Sequence, residues 1–299
     1  MEHTLIHTKR ILMALIICIT SLSYLKPQKV GIQEEYGPKL EVILEKTGEY
    51  CEEVKNLALH YVCKENIIDI HYFYKTQEVI ERVPKSSFVT STIRFELKDS
   101  RKKSYVYDYQ LIRKSGKMIE KRELLEEDGK KKKEKASGLR YVKYLSKNIV
   151  FGPVGFLSRY WQRHFDYKII GSDIINGKKA LIISAYPKQE REENYNVAQI
   201  WIDMKEYSIL KIQWNPLSIQ NYEEEKIRYP TGEYKKTIIW NVDFGVEEKG
   251  IRFPSKQIVQ EVFISENDKK NVLEEIVFTY TDYKFFTVET EVRYKKNPD

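Results

Sequence analysis

The feature that most constrains this fold is a long succession of short runs in which apolar and polar residues alternate. Alternation with a period of two gives each run one apolar face, as a half-buried β-strand requires. The runs are Leu57 to Cys63, Phe88 to Leu97, Tyr105 to Ile112, Met118 to Leu125, Ala180 to Ala185, Val197 to Asp203, Ile209 to Trp214, Thr237 to Phe244, Ile258 to Ile264 and Glu274 to Tyr283. No helical pattern separates most of them, so the sequence predicts one large antiparallel sheet rather than βαβ units.

Turn sequences between these runs support the same prediction. Asn176-Gly177 suits a two-residue type I′ hairpin turn, in which both residues take positive φ. Ser115-Gly116 precedes another strand, and the charged run from Lys98 to Lys103 is predicted to be a turn between two strands. The chain also has 22 tyrosines, whose side chains fit a pleated surface.

Two segments have a helical period instead. An N-terminal helix begins at Pro38, and its apolar face recurs at three-four spacing as Leu40, Ile43, Leu44, Thr47, Tyr50, Cys51 and Val54. A short aromatic helix is predicted between Phe151 and Phe165, with Arg159 and Arg163 on its polar side. Its apolar face is Phe156, Leu157, Tyr160, Trp161, His164 and Phe165. Such a helix has to bury that face, so we expect it to form a lid over a concave sheet.

The N-terminus has the pattern of an export signal. Lys9 and Arg10 precede an apolar run that ends at Ile19, which is shorter than the roughly 20 residues that span a bilayer. Ser21 and Ser23 then have the spacing of a signal-peptidase site, which predicts a signal peptide at residues 1–23. The alternatives are an uncleaved membrane anchor and, less favoured, lipidation at Cys18. A flexible leader at 24–37, one β domain at 38–290 and a polar tail at 291–299 follow.

Two cysteines remain after removal of this signal. In an exported protein Cys51 and Cys63 are readily oxidised, so we expect a disulfide that fastens the N-terminal helix to the first strand. The alternative is a pair of buried thiols that act as small apolar side chains.

The charge pattern argues against nucleic-acid binding. Lys and Arg number 51 against 44 acidic residues, and the two signs are interleaved rather than gathered into a basic stripe. One basic run, Lys130 to Lys133, is flanked by acidic residues. It is predicted to be a soluble hairpin tip, with contact to an anionic membrane surface as the alternative.

Catalytic, metal and cofactor signatures are missing from the sequence. There is no G-x-S-x-G, P-loop, GxGxxG or HExxH pattern. His60, His71 and His164 are interpreted as structural or surface residues, and Asp203 as the cap of a turn. We therefore expect no enzyme activity, no metal ligands and no cofactor.

The aromatic residues are the candidates for function. Ligand pockets are mostly apolar and aromatic, and the residues predicted to line one are Phe151, Phe156, Leu157, Tyr160, Trp161, Trp201, Trp214 and Trp240. The alternative for each is packing in an ordinary core.

Two stretches resemble the LolA/LolB-like outer-membrane lipoprotein-sorting superfamily. They are FDYKIIGSDIINGKKALII, which begins at Phe165, and QIWIDMKEYSILKI, which begins at Gln199. The resemblance implies a large curved antiparallel sheet or half-barrel, capped by helices, that encloses an apolar cavity for acyl chains. It also implies a protein of the periplasm or cell envelope that carries a lipid or lipoprotein and has, in some relatives, an envelope protein as partner.

Three hypotheses about the function follow from the sequence. The first is a binding protein that holds a hydrophobic ligand between the sheet and the lid helix. The second is a structural or regulatory envelope protein with the same sheet and a filled core. The third is an enzyme whose site has no recognisable motif.

Overall fold

The structure, a computed structural model, describes residues 39–57, 60–82, 89–114, 117–132, 152, 154–188, 198–215, 225–229, 232–265 and 268–286. The predicted signal peptide, leader and polar tail, and Phe151, lie outside these residues. Those described all belong to a compact unit that begins at residue 38. None of the helices in this part of the chain combines the length and apolar character needed to cross a membrane.

The strands take up most of the described residues, in agreement with the predicted mainly β fold. They are β1 (His60–Arg82), β2 (Val89–Lys114), β3 (Lys117–Glu127), β4 (Lys130–Lys131), β5 (Phe165–Ile175), β6 (Lys178–Pro187), β7 (Ala198–Asp203), β8 (Ile209–Trp214), β9 (Glu225–Tyr229), β10 (Gly232–Asp243), β11 (Val246–Glu248), β12 (Ile251–Phe253), β13 (Lys256–Ser265) and β14 (Lys270–Phe285). The helices are α1 (Leu40–Leu57), α2 (Val154–Leu157) and α3 (Arg159–Gln162).

Twelve of these strands form one antiparallel sheet, and β11 and β12 form a separate hairpin. The order is β4-β3-β2-β1-β14-β13-β10-β8-β7-β6-β5, with β9 beside β10. The sheet curves strongly, because side chains of strands that are not neighbours meet. The Phe95 ring of β2 lies 5.5 Å from the Tyr234 ring of β10. The predicted large, curved antiparallel sheet is therefore confirmed.

The core lies on one face of this sheet, here called the inner face. Cross-strand partners place one row along it through nine strands, called here the apolar row because all of its members except Gln257 are apolar. In sheet order the row is Tyr105, Ile67, Phe278, Gln257, Val242, Ile212, Ile200, Ile183 and Ile169. All of these except the half-buried Ile169 are buried, so this row is the spine of the core.

Helices and the β11–β12 hairpin cover parts of the inner face. The buried side of α1 includes Ile43, Tyr50 and Val54, as the helical period predicts. Tyr50 Oη accepts a hydrogen bond from the backbone N–H of Arg252 at 3.0 Å, which joins α1 to β12. At the next residue of β12, the Phe253 ring packs 5.5 Å from the ring of Tyr61 in β1.

Local turn chemistry was predicted correctly where its geometry is visible. Asn176 and Gly177 both have positive φ, at 50° and 79°, as a type I′ turn requires. The run from Lys98 to Lys103, however, is not a turn. It lies inside β2, because β1 continues far enough to pair with it and only a bulge near Phe73 interrupts the register.

The expected disulfide between Cys51 and Cys63 is absent, and both residues are buried thiols. Cys51 of α1 interacts with Tyr167 of β5, whose pKa is raised mainly by burial. Cys63 lies in β1, where its thiol interacts with the Tyr283 hydroxyl of β14. Since β1 and β5 are far apart in the sheet, the two thiols belong to different parts of the core.

The mid-chain helix is present in two pieces rather than one. Helix α2 ends at Leu157, Ser158 has an extended backbone with φ −63° and ψ 149°, and α3 begins at Arg159. Phe165 is already the first residue of β5. We call residues 154–162 the lid.

Candidate functional site

Two of the predicted tryptophans lie side by side on the inner face. Trp214 of β8 and Trp240 of β10 are cross-strand partners, with ring centroids 5.5 Å apart. They belong to a second row, here called the tryptophan row, which runs beside the apolar row. In sheet order from β5 it consists of Tyr167, Ala185, Ala198, Trp214, Trp240, Val259, Ile276 and Asp69.

The lid covers one end of this row. The Phe156 ring of α2 lies 5.1 Å from Trp214 in β8 and 5.3 Å from Phe165 in β5. Strands β7 and β6 lie between β8 and β5, so the Phe156 ring lies over them. At this point the tryptophan row carries Ala198 in β7 and Ala185 in β6. Because alanine side chains are short, they leave a shallow depression in the sheet surface beneath Phe156.

The indole N–H groups of this pair are its unusual chemical feature. Both Nε1 atoms are buried, and no described residue accepts a hydrogen bond from either one. Indole can only donate, and an unsatisfied buried donor costs about 1–3 kcal/mol. Trp214 and Trp240 thus present two donors, in an aromatic setting, that a bound carbonyl group would satisfy.

Trp201 is not part of this site. It pairs with Ile182 and Lys211, so it points to the opposite face from its neighbour Ile200. Its Nε1 donates to Asp173 Oδ2 at 3.0 Å, and the ammonium of Lys211 lies 4.7 Å from its ring. Trp201 packs in a separate small cluster on that face.

The other predicted lid residues divide between core and surface. Leu157 is fully buried beside Phe156. Tyr160 and Trp161 of α3 are 55% and 38% exposed, and their rings pack against each other and against His164. The Arg163 guanidinium lies 4.2 Å from the Tyr160 ring, so basic and aromatic groups share one side of the lid. The predicted set is therefore split. Phe156, Trp214 and Trp240 lie together, Leu157 is buried next to Phe156 in the chain, and Tyr160 and Trp161 are exposed.

The lid is held by a small number of polar contacts. Gln162 Nε2 donates to the carbonyl oxygens of Leu44 at 2.5 Å and Leu157 at 2.7 Å. The Tyr167 hydroxyl donates to the carbonyl of Phe156. An exposed ion pair joins Arg159 to Glu49 at 3.3 Å.

A buried charge pair lies farther along the inner face. Arg122 of β3 donates from Nε and Nη2 to the two carboxylate oxygens of Glu65 at 2.6 and 3.1 Å. The ring of Tyr109 lies 4.5 Å from the guanidinium carbon, and its hydroxyl donates to Glu120. Burial acts to lower the pKa of Arg122, but the hydrogen bonds and charge of Glu65 raise it overall. The arginine therefore stays charged inside the core.

A further polar cluster was missed from the sequence. At the β1 end of the tryptophan row, Nε2 of His71 lies 3.4 Å from Asp69 Oδ1 and 3.4 Å from Glu274 Oε1. A usable signal was present, since Asp69 and His71 are two residues apart on a strand and so share a face. Glu274 comes from the paired strand β14, which the sequence did not identify as a neighbour.

The basic run near residue 130 behaves as predicted for a hairpin tip. Lys130 and Lys131 form β4 and pair with Glu127 and Glu126 of β3. Lys132 makes a salt bridge with Glu127. Lys133 lies outside the described residues.

Comparison with known proteins gives only distant matches. No protein-family model and no curated protein sequence matches the chain. Among solved structures, a DUF1329 family protein from Desulfovibrio piger has 11% identity and a TM-score of 0.34, covering 85% of this chain and 96% of its own. A LolA superfamily protein from Nitrosomonas europaea has 10% identity and a TM-score of 0.33, with coverages of 85% and 96%.

A third similar structure is an outer membrane lipoprotein-sorting protein domain from Vibrio parahaemolyticus. Its identity is 10% and its TM-score 0.34, with coverages of 83% and 95%. Likeness at this level does not extend to function, which has to be argued from this chain's own residues.

Proposed function

We propose that this chain is an exported, non-catalytic binding protein that holds the acyl chains of a lipid or lipoprotein between the tryptophan row and the lid. The observation that carries this function is the Trp214–Trp240 pair, whose two indole N–H groups face a buried aromatic surface without an acceptor among the described residues. An acyl ester has the matching chemistry, with a carbonyl acceptor attached to an apolar chain.

The apolar part of such a ligand supplies most of the affinity. Burial of each methylene group is worth roughly 0.8 kcal/mol, so even a partly buried chain binds without charged contacts. The surface over Ala185 and Ala198 offers a shallow apolar track beside Trp214. The tryptophan donors would set the position of the carbonyl along that track.

Binding requires the lid to move. Phe156 is fully buried and its ring occupies the position over the track, against Trp214. The two short helices are connected at Ser158 and held by hydrogen bonds of Gln162 and the Tyr167 hydroxyl, together with the buried side chain of Phe156. An acyl chain would displace the Phe156 ring, and return of that ring would favour release.

The exposed side of the lid suits exchange at a membrane. Aromatic side chains are enriched at membrane interfaces, and basic ones are attracted to anionic headgroups. Tyr160 and Trp161 are exposed next to Arg159 and Arg163. An anionic envelope membrane, or an envelope protein that presents a lipid, is the partner that this combination favours, and the periplasm or cell envelope is the matching location.

The test is quenching of tryptophan fluorescence by a brominated acyl lipid. The full chain is produced in an exporting host, purified without detergent, and its native mass is recorded before and after addition of lipid. Bromine quenches only nearby indoles, so Trp214→Phe and Trp240→Phe should each remove part of the quenching. Trp201→Phe is the matched control, because Trp201 packs on the opposite face and should contribute none.

The rival function is an envelope interaction protein with a filled core, which the complete burial of Phe156 and Leu157 favours. It predicts a single ligand-free mass that added lipid does not change. It also predicts quenching that is absent or equal in all three variants. Either result would overturn the binding function and make capture of a protein partner the next experiment.

A further inference from the structure

The Asp69, His71 and Glu274 cluster brings three potential metal ligands to one point in the middle of the sheet. One oxygen of each carboxylate and one imidazole nitrogen all lie within 4.8 Å of one another. The two carboxylate side chains are almost completely buried, at 6% and 8% exposure, whereas the imidazole is 46% exposed. The cluster thus combines two buried carboxylates with an imidazole that is open to solvent.

The spacing of these atoms fits coordination better than direct hydrogen bonding. Charge-assisted N–H···O bonds measure about 2.7–2.9 Å, but His71 Nε2 lies 3.4 Å from each carboxylate oxygen. Zinc binds nitrogen and carboxylate oxygen at about 2.0–2.2 Å in a tetrahedron. Two ligands of such a tetrahedron are about 3.4 Å apart, which is the separation found twice here.

The backbone fixes the three side chains in this arrangement. Asp69 and His71 project from the same face of β1, and Glu274 is the direct cross-strand partner of His71 in β14. Sheet positions of this kind are more rigid than loop positions, as a metal site requires. Buried carboxylates are normally paired with cations or coordinated to metals.

The strands on either side of the cluster carry one acidic and three basic side chains. Glu261 of β13 is the cross-strand partner of Glu274, and its Oε1 is bound by Lys236 Nζ at 2.8 Å. On the other side, Arg101 of β2 is opposite His71, but its guanidinium lies 5.1 Å from the Phe73 ring. Lys103 is the β2 partner of Asp69 and is exposed.

We propose that Asp69, His71 and Glu274 bind a divalent transition-metal ion of the zinc type, each through one atom, with a fourth position open to water or a ligand. A nitrogen and two oxygens suit such ions, whereas Mg²⁺ and Ca²⁺ prefer all-oxygen sites. The bound ion would join β1 to β14 at the centre of the sheet. It would also lie on the inner face three strands from Trp240, about 14 Å at about 4.8 Å per strand.

Zn²⁺ titration of the full chain, after dialysis against a chelator, tests this site. We expect one ion per chain by calorimetry, a rise in Tm with Zn²⁺, and with Co²⁺ the visible absorption of a tetrahedral site. His71→Ala should weaken Zn²⁺ binding at least tenfold and abolish the Co²⁺ spectrum, and Asp69→Asn and Glu274→Gln should do the same. His60→Ala, at the start of the same strand, is the matched control and should bind like the unaltered chain.

Folding of each variant is checked by circular dichroism in the absence of metal. His71 is half exposed, so its replacement is the decisive variant if either carboxylate variant does not fold. The site is overturned if the chain binds no Zn²⁺, if His71→Ala binds it equally tightly, or if Mg²⁺ at the same concentration competes fully. No binding at all would mean that the three residues form a polar cluster of the sheet and not a metal site.

Discussion

Arg122 and the tyrosines around it show how single residues bring polar groups into the core of this sheet. The guanidinium is bound by both oxygens of Glu65 and lies over the ring of Tyr109. Removal of one member of a buried ion pair leaves the other charged and without its partner. The resulting loss of folding free energy is far larger than the net stabilisation that the intact pair provides. The pair is therefore a sensitive point of the fold.

Arg122→Ala is expected to lower the free energy of unfolding by about 3–5 kcal/mol, because Glu65 then remains buried without its partner. The measurement is urea unfolding followed by tryptophan fluorescence. Lys64→Ala, which removes the exposed ion pair with Asp282, is the control and should cost less than about 1 kcal/mol. Equal losses in the two variants would contradict the assigned role of Arg122.

The buried tyrosines predict how the protein responds to alkali. Burial raises the pKa of Tyr107 to about 12 from its ordinary value of 10.0. It is also the main cause of the raised pKa values of Tyr61, Tyr109, Tyr280 and Tyr283. A group with a raised pKa in the folded state contributes stability that is complete below its unfolded pKa and is lost as the pH rises through the folded pKa.

Stability should accordingly be constant up to about pH 10 and decline from there to pH 12 and above. In a titration followed by tyrosinate absorbance, the buried tyrosines of the native chain should ionise at higher pH than those of the chain unfolded in guanidinium. They should then ionise in one cooperative step. Identical titration curves for the two states would show that these hydroxyl groups are open to solvent.

At the scale of elements, the contact between α1 and the lid depends on a glycine. A Cβ on Gly48 would lie 3.1 Å from the Arg159 Cγ and Gln162 Nε2 atoms of α3. The missing side chain therefore lets α3 lie close to α1, near the point where Gln162 donates to the Leu44 carbonyl. This contact is one of those that join the lid to α1.

Gly48→Leu should separate the lid from α1 without unfolding the sheet. Overpacking of this kind costs typically 1–3 kcal/mol, and we expect faster amide hydrogen exchange across residues 154–162. Glu53→Leu, on the exposed side of the same helix, is the control for the added apolar side chain. Unchanged exchange in the Gly48 variant would mean that the lid is held by other contacts.

At the scale of the whole molecule, the last strand completes the centre of the sheet. β14 lies between β1 and β13, so residues near the two ends of the described chain become neighbours. Lys64 and Asp282 form a salt bridge although they are 218 positions apart. Such non-local pairing makes folding slow and strongly cooperative.

A chain that ends at residue 265 lacks β14 and should show no cooperative unfolding transition, because β1 and β13 each lose one of their two neighbouring strands and the sheet is divided between them. Circular dichroism melting and binding of a hydrophobic dye measure this. A chain that ends at residue 290, without the predicted polar tail, is the control and should unfold like the full chain. A cooperative transition in the shorter chain would show that the sheet is stable in two separate parts.

Local sequence patterns were enough to determine the type of most elements. The period-two runs identified the antiparallel strands, the three-four spacing from Leu40 identified α1, and Asn176-Gly177 specified its turn. These features depend on neighbours within a few residues, through side-chain alternation and the allowed backbone angles. For the same reason the sequence indicated a mainly antiparallel sheet before any contact was known.

Only the tertiary structure decided which residues meet. The charged run after Leu97 became part of β2 because β1 pairs with it. In β7, Ile200, Trp201 and Ile202 are all buried, so alternation of apolar and polar residues could not show which face of the strand is the inner one. The separation of Cys51 from Cys63 and the meeting of His71 with Glu274 likewise depend on strand order. Sheet order and register are set by the combined packing of many distant strands, which no short stretch of sequence contains.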